Sequence, residues 1–195
     1  AKYRIAKVSL PGGSAIGSRP INFHLDALKK MGAKIKIKDG YIFASAKKGL
    51  KGCVIKFPKI SVGATENVLI AACFSKGETK LRNCAIEPEI NDLINFLKKL
   101  GCKIKRVGKR SINILGVKEL KSTVHKVIFD RIEAGTYIIA AALTKGKLKI
   151  KNINPKIMST EIRLLQKMGV NIIKKKDHVI VSRAVELKNI NIKTR

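Results

Sequence analysis

The 195-residue sequence has no tryptophan, three tyrosines, six phenylalanines and only 13 acidic residues against 42 basic ones. Recognition of single-stranded nucleic acid stacks bases on aromatic side chains beside clustered arginine. Here 33 of the basic residues are lysine and 9 are arginine, scattered over every segment, with Lys174-Lys175-Lys176 as the longest run. Together with 28 isoleucines this is the residue usage of an AT-rich coding sequence, so the net charge of +29 reads mainly as a solvated surface. A basic nucleic-acid-binding repeat protein is the alternative reading. A small anionic substrate would gain from the same positive field without a nucleic-acid groove.

Long apolar runs are also missing. No stretch of about 18 apolar residues offers a membrane span, and Ala1-Lys2-Tyr3-Arg4 does not open a signal peptide, so a cytoplasmic location is expected. The four cysteines, Cys53, Cys73, Cys84 and Cys102, are far apart and form no C-x-x-C pair. That pattern argues against a zinc site and a disulfide framework, and no metal or cofactor is expected.

What the chain does contain is repetition. Three segments carry an amphipathic helix, a glycine that stops it and two short strands, at Ile21–Ile37, Ile90–Lys105 and Glu161–Ile173. Their closing glycines are Gly32, Gly101 and Gly169, 69 and 68 residues apart. A second, more uniformly apolar helix recurs at Ser61–Ala72 and Arg131–Ala142, which marks it as buried; Gly77 and Gly146 are expected to close these two. The unit reads strand, buried helix, strand, amphipathic helix, strand, strand. An α+β fold of repeated βαβαββ blocks follows, with helices packed under sheets. The chain holds two copies and the back half of another and ends on a lone strand at Asn189–Lys193, so it is expected to be an internal fragment.

Before the first amphipathic helix lies Pro11-Gly12-Gly13-Ser14-Ala15-Ile16-Gly17-Ser18-Arg19-Pro20. A helix N-terminus has unpaired N–H groups and partial positive charge, so a flexible glycine-rich loop with an arginine there suits an anion. Pro20 is expected at the first helical position. The spacing Gly12 to Gly17 matches that of a P-loop, but Ser18-Arg19 replaces its Lys-Ser/Thr. No G-x-S-x-G elbow supports a serine hydrolase.

The βαβαββ repeat, the decapeptide at 11–20, Lys59–Thr65, Glu87-Pro88-Glu89-Ile90 and Asp130–Thr136 together resemble the enolpyruvyl transferase family over the whole chain. The Lys-Ser pair of the family's shikimate branch is absent from the loop. The resemblance implies an inside-out α/β barrel, with residues 1–128 forming part of a first lobe (the end of one unit plus a complete one). Residues 129–195 would begin a second lobe (one unit and the first strand of the next). It implies transfer of the enolpyruvyl group from phosphoenolpyruvate to the 3-hydroxyl of UDP-N-acetylglucosamine with release of phosphate, the first committed step of peptidoglycan synthesis. The loop would close over both substrates. Arg19 would contact their phosphates, Pro20, Ile21, Asn22, Phe23 and His24 would adjoin the nucleotide, and Lys59, Ile60, Ser61, Val62 and Gly63 would form a second nucleotide-binding stretch. Taken alone, Lys59 reads as surface and His24 as structural. Glu89 and Glu133 read as helix-capping residues, while Glu87 and Asp130 are candidates for anchoring the loop or another lobe.

Two departures matter. The family carries a proton-donating cysteine at the position of Ser14. A thiol titrates near 8.5 and an alcohol close to water's 15.7, a gap of about 7 units or ~10 kcal/mol if the ionised form is required. Impaired chemistry is expected. The family's Lys-Asn pair, catalytic aspartate and phosphoenolpyruvate-binding arginines also lie outside these residues, so the chain by itself is expected to be inactive.

Overall fold

The computed structural model describes residues 1–12, 20–182 and 186–192. Two compact units divide the chain, Ala1–Lys126 and Val127–Arg195. The first contains β1 (Ile5–Ser9), α1 (Asn22–Lys30), β2 (Lys34–Lys38), β3 (Tyr41–Ser45), β4 (Val54–Lys56), α2 (Val62–Ala72), β5 (Glu78–Arg82), α3 (Pro88–Lys99), β6 (Lys103–Gly108) and β7 (Ser111–Leu115). The second contains α4 (Arg131–Leu143), β8 (Leu148–Lys151), α5 (Ser159–Lys167), β9 (Asn171–Lys174) and β10 (His178–Ser182). One complete βαβαββ block runs from β4 to β7.

The repeat is visible in sheet connectivity. Three strands pair in the order β1-β3-β2, again as β5-β7-β6 and again as β8-β10-β9, antiparallel throughout. In the middle copy β4 adds a parallel fourth strand beside β5. Among the described residues the second unit has no such strand before α4, and residues 189–192, read from sequence as part of an opening strand, form none. An edge strand as short as β4 is held by one ladder partner, and a lone strand has none.

The amphipathic helices end as their glycines dictate. After α1, α3 and α5 the chain turns left-handed at Gly32 (φ 96°), Gly101 (φ 101°) and Gly169 (φ 95°). The next residues, Ala33, Cys102 and Val170, then donate their N–H groups to Leu28, Leu97 and Leu165, the six-to-one bond of a Schellman motif. The apolar helices stop differently. Lys145, not Gly146, takes the left-handed position after α4 (φ 56°), while Gly146 N–H bonds to Ala141. Gly77 lies beyond the end of α2, in the turn into β5.

Helices cover one face of each core. In the first unit Ala64, Val68, Leu69 and Ala72 of α2 are fully buried, with Met31, Phe57, Leu81, Ile90, Ile112 and Ile114 around them. Side chains of this size gain about 1.5–3 kcal/mol each on burial. In the second unit Ile138, Met158, Ile162, Val179 and Val181 form a separate core.

Candidate active site

Ser14 and Arg19 lie outside the described residues. The chain resumes at Pro20, which is exposed and stands one residue before the cap, not at the first helical position. Leu25 N–H donates to the Ile21 carbonyl at 3.1 Å, which makes Ile21 the N-cap and Asn22 the first residue of α1. Asn22 is exposed, Phe23 packs half-buried against the core, and His24 is half-buried in the first turn.

The other stretch leads from β4 into α2. Lys59 and Ile60 are exposed in the connection, and extended Ser61 caps the helix, its Oγ accepting from Ala64 N–H at 3.2 Å. Val62 and Gly63, the first two helical residues, therefore keep N–H groups with no intrahelical acceptor. The structure brings the two stretches together at one point. Nε2 of His24 lies 3.2 Å from where a Cβ on Gly63 would stand, so a larger residue there would press on the ring by a few tenths of an ångström. Nδ1 of the same ring is buried without a hydrogen-bond partner among the described residues.

Charge at this junction is one-sided. Helices α3, α4 and α5 carry Glu89, Glu133 and Glu161 in their first turns, whereas α1 and α2 carry no acidic residue there. The two helix starts that meet at His24 and Gly63 are the two without an acidic residue in the first turn. Anions gain about 0.3–1 kcal/mol at such a terminus and up to ~2 kcal/mol in partly buried geometry.

The acidic residues singled out from sequence divide differently than expected. Asp130 is the N-cap of α4, accepting from Ile132 N–H at 2.7 Å and Glu133 N–H at 3.1 Å, because its short side chain reaches both donors. Glu133 is thus a capped residue, not the cap. Glu87 occupies the N-cap position of α3 without a side-chain cap bond and instead accepts from Ile86 N–H at 2.7 Å.

None of the cysteines offers a ready thiolate. Burial pushes the thiols of Cys53, Cys73 and Cys102 up, and that of Cys84 to about 11 despite Arg106, Arg82 and Arg110 nearby. Among the described residues no group of three or more His, Cys, Asp or Glu could hold a metal ion, and no helix is long and apolar enough to cross a membrane.

The sequence matches the EPSP synthase (3-phosphoshikimate 1-carboxyvinyltransferase) family over residues 1–195. The chain belongs to this family. It is 60% identical over 194 residues to UDP-N-acetylglucosamine 1-carboxyvinyltransferase of Pelagibacter ubique (strain HTCC1062), covering 100% of this chain and 46% of the relative. It is 49% identical over 188 residues to the enzyme of that name from Endomicrobium trichonymphae, covering 96% of this chain and 45% of the relative. This member of the EPSP synthase family therefore spans about half the length of the curated relatives it matches. Among solved structures it is similar to the enolpyruvyl transferase NikO from Streptomyces tendae, with a TM-score of 0.80 and 23% identity over 94% of this chain and 45% of that one. The α+β fold is that of the enolpyruvyl transferases.

Proposed function

We propose that this chain is the nucleotide-binding portion of an enzyme that transfers the enolpyruvyl group of phosphoenolpyruvate to the 3-hydroxyl of UDP-N-acetylglucosamine in the cytoplasm, opening peptidoglycan synthesis. The observation that carries the reading is the meeting of two acid-free helix starts at His24 and Gly63. The N–H groups of Val62 and Gly63 take oxygens of the diphosphate, Lys59 adds a point charge, and Pro20 to His24 border the nucleotide. Arg19, three residues before Asn22 in the sequence, offers a planar fork to phosphate. The branch assignment draws on the names of relatives 60% and 49% identical.

The chemistry adds the sugar hydroxyl across the vinyl double bond. Carbon–oxygen bond formation is matched by protonation of the methylene carbon; loss of a proton from that carbon and of inorganic phosphate then restores the double bond in the product. The loop around Ser14 supplies the first proton in the family, and an alcohol is a far weaker acid than a thiol. Turnover in this protein is consequently slow, and the rest of the enzyme is needed for the phosphoenolpyruvate end of the site.

Titration with UDP-N-acetylglucosamine by calorimetry tests the reading. Saturable binding that Lys59→Ala weakens about tenfold supports it, and heat indistinguishable from dilution refutes it. A second reading, nucleic-acid binding, is favoured by one observation that sequence reasoning missed. Strand β3 places Tyr41 and Phe43 on one face, with Lys7 Nζ 4.5 and 5.4 Å from their ring centroids. Steeply salt-dependent retention of single-stranded RNA would support that alternative.

A further inference from the structure

The stretch Lys59–Gly63 has no regular structure before Val62, yet hydrogen bonds fix it on both sides, and they come from one corner at the end of β5. On the upstream side Phe57 N–H donates to the Arg82 carbonyl at 3.1 Å, and Asn83 Nδ2 donates to the Phe57 carbonyl at 2.9 Å. On the downstream side Ala85 N–H donates to Thr65 Oγ1 at 3.1 Å, and the same hydroxyl donates to the Ser61 carbonyl at 2.7 Å. The corner is itself held by the β6–β7 hairpin: Cys84 N–H bonds to the Arg110 carbonyl and Arg110 Nη1 to the Cys84 carbonyl, both at 3.0 Å. Asn83 adopts φ 58°, a left-handed conformation that asparagine tolerates better than most residues, and this turns its amide toward Phe57. Thr65 is fully buried, so its hydroxyl has no water to exchange for these partners.

We infer that Asn83 and Thr65 are positioning residues for the nucleotide-binding stretch, clamping Phe57 and Ser61 so that Lys59 and the free N–H groups of Val62 and Gly63 present a preformed surface to the diphosphate. The inference rests on the reading given above. Preorganisation of this kind raises affinity by removing the ordering cost of binding. Neither residue touches the ligand. Their effect passes through the backbone they hold.

The test measures UDP-N-acetylglucosamine affinity by calorimetry at a temperature where every variant is folded, together with amide hydrogen exchange. Asn83→Gly and Asn83→Asp keep the left-handed conformation accessible but lose the donor; Thr65→Val keeps the shape but loses the hydroxyl. Each is expected to weaken binding five- to twentyfold and to speed exchange at Phe57 and Ala64, with exchange in β7 unchanged. A purely structural role would leave the affinity of the folded protein at its original value. If Lys59→Ala weakens binding while Asn83→Gly and Thr65→Val bind as the unaltered chain does, the clamp is overturned and the nucleotide site stands. If the unaltered chain does not bind, or Lys59→Ala has no effect, the nucleotide site falls and this role with it.

Discussion

The imidazole of His24 lies beside Gly63, with Nε2 3.2 Å from the position a Cβ would take. Two helix starts 39 residues apart in sequence thereby meet at a residue whose missing side chain leaves the ring its room.

Gly63→Ala forces the ring to move by a few tenths of an ångström and displaces the N–H groups beside it. UDP-N-acetylglucosamine affinity should fall about tenfold. His24→Ala removes the obstruction, so the double variant should bind better than the sum of the two single losses allows. Strict additivity in calorimetric titrations would show that the contact is irrelevant to binding.

In the proposed reading Ser14 takes the position of the family's cysteine, and burial raises all four thiols of this chain. An epoxide that alkylates the family's cysteine should leave the protein's intact mass unchanged and add one equivalent to the Ser14→Cys variant. A covalent adduct mapped to Ser14 would contradict the expectation.

Glu66 on α2 has its carboxyl pushed above the ordinary 4.5 by burial and, secondly, by the charge of Glu89. A carboxyl that holds its proton more tightly when folded favours the native state at low pH. Its contribution is complete below the unfolded value and disappears as pH rises through the folded one. Glu66→Gln should therefore raise the melting temperature at pH 7 relative to the original protein, with the difference shrinking toward pH 4. A pH-independent difference would assign the effect to something other than ionisation.

Gly101 turns at φ 101° with open space where a Cβ would be added, so Gly101→Ala incurs backbone strain without a clash. The expected loss is about 1–2 kcal/mol, or roughly 2–8 °C in melting temperature for a chain of this size. Calorimetry finding no shift would mean that the helix end relaxes out of the Schellman geometry.

Local rules made much of the fold legible. Gly32, Gly101 and Gly169 mark helix ends because each Schellman bond spans only five residues, and the apolar spacing of Ile90, Ile94 and Leu97 records the buried face of α3. Features decided by distant contacts left no such trace. The bond from Asn83 to Phe57 joins residues 26 apart and that from Ala85 to Thr65 joins residues 20 apart, so neither alters any periodicity. In sequence Glu133 reads as the capping residue and Asp130 as a candidate anchor, yet the shorter side chain of Asp130 is the one that reaches the N–H groups of Ile132 and Glu133. Pro20 is compatible with the first helical position, yet the Ile21 carbonyl decides where the helix begins. In the candidate site, resemblance alone grouped Pro20–His24 with Lys59–Gly63, because nothing in composition says that those stretches face each other.

The shared order β1-β3-β2, β5-β7-β6 and β8-β10-β9 bears on synthesis as well as on architecture. Val8 pairs with Ile42, Leu81 with Ile112 and Ile150 with Val179, so each sheet closes over a span of about 30 residues wherever it lies in the chain. The entropy of closing such a loop is set by its own length. Each copy can consequently assemble as it leaves the ribosome, its last strand entering between two that have already emerged, while later copies are still untranslated.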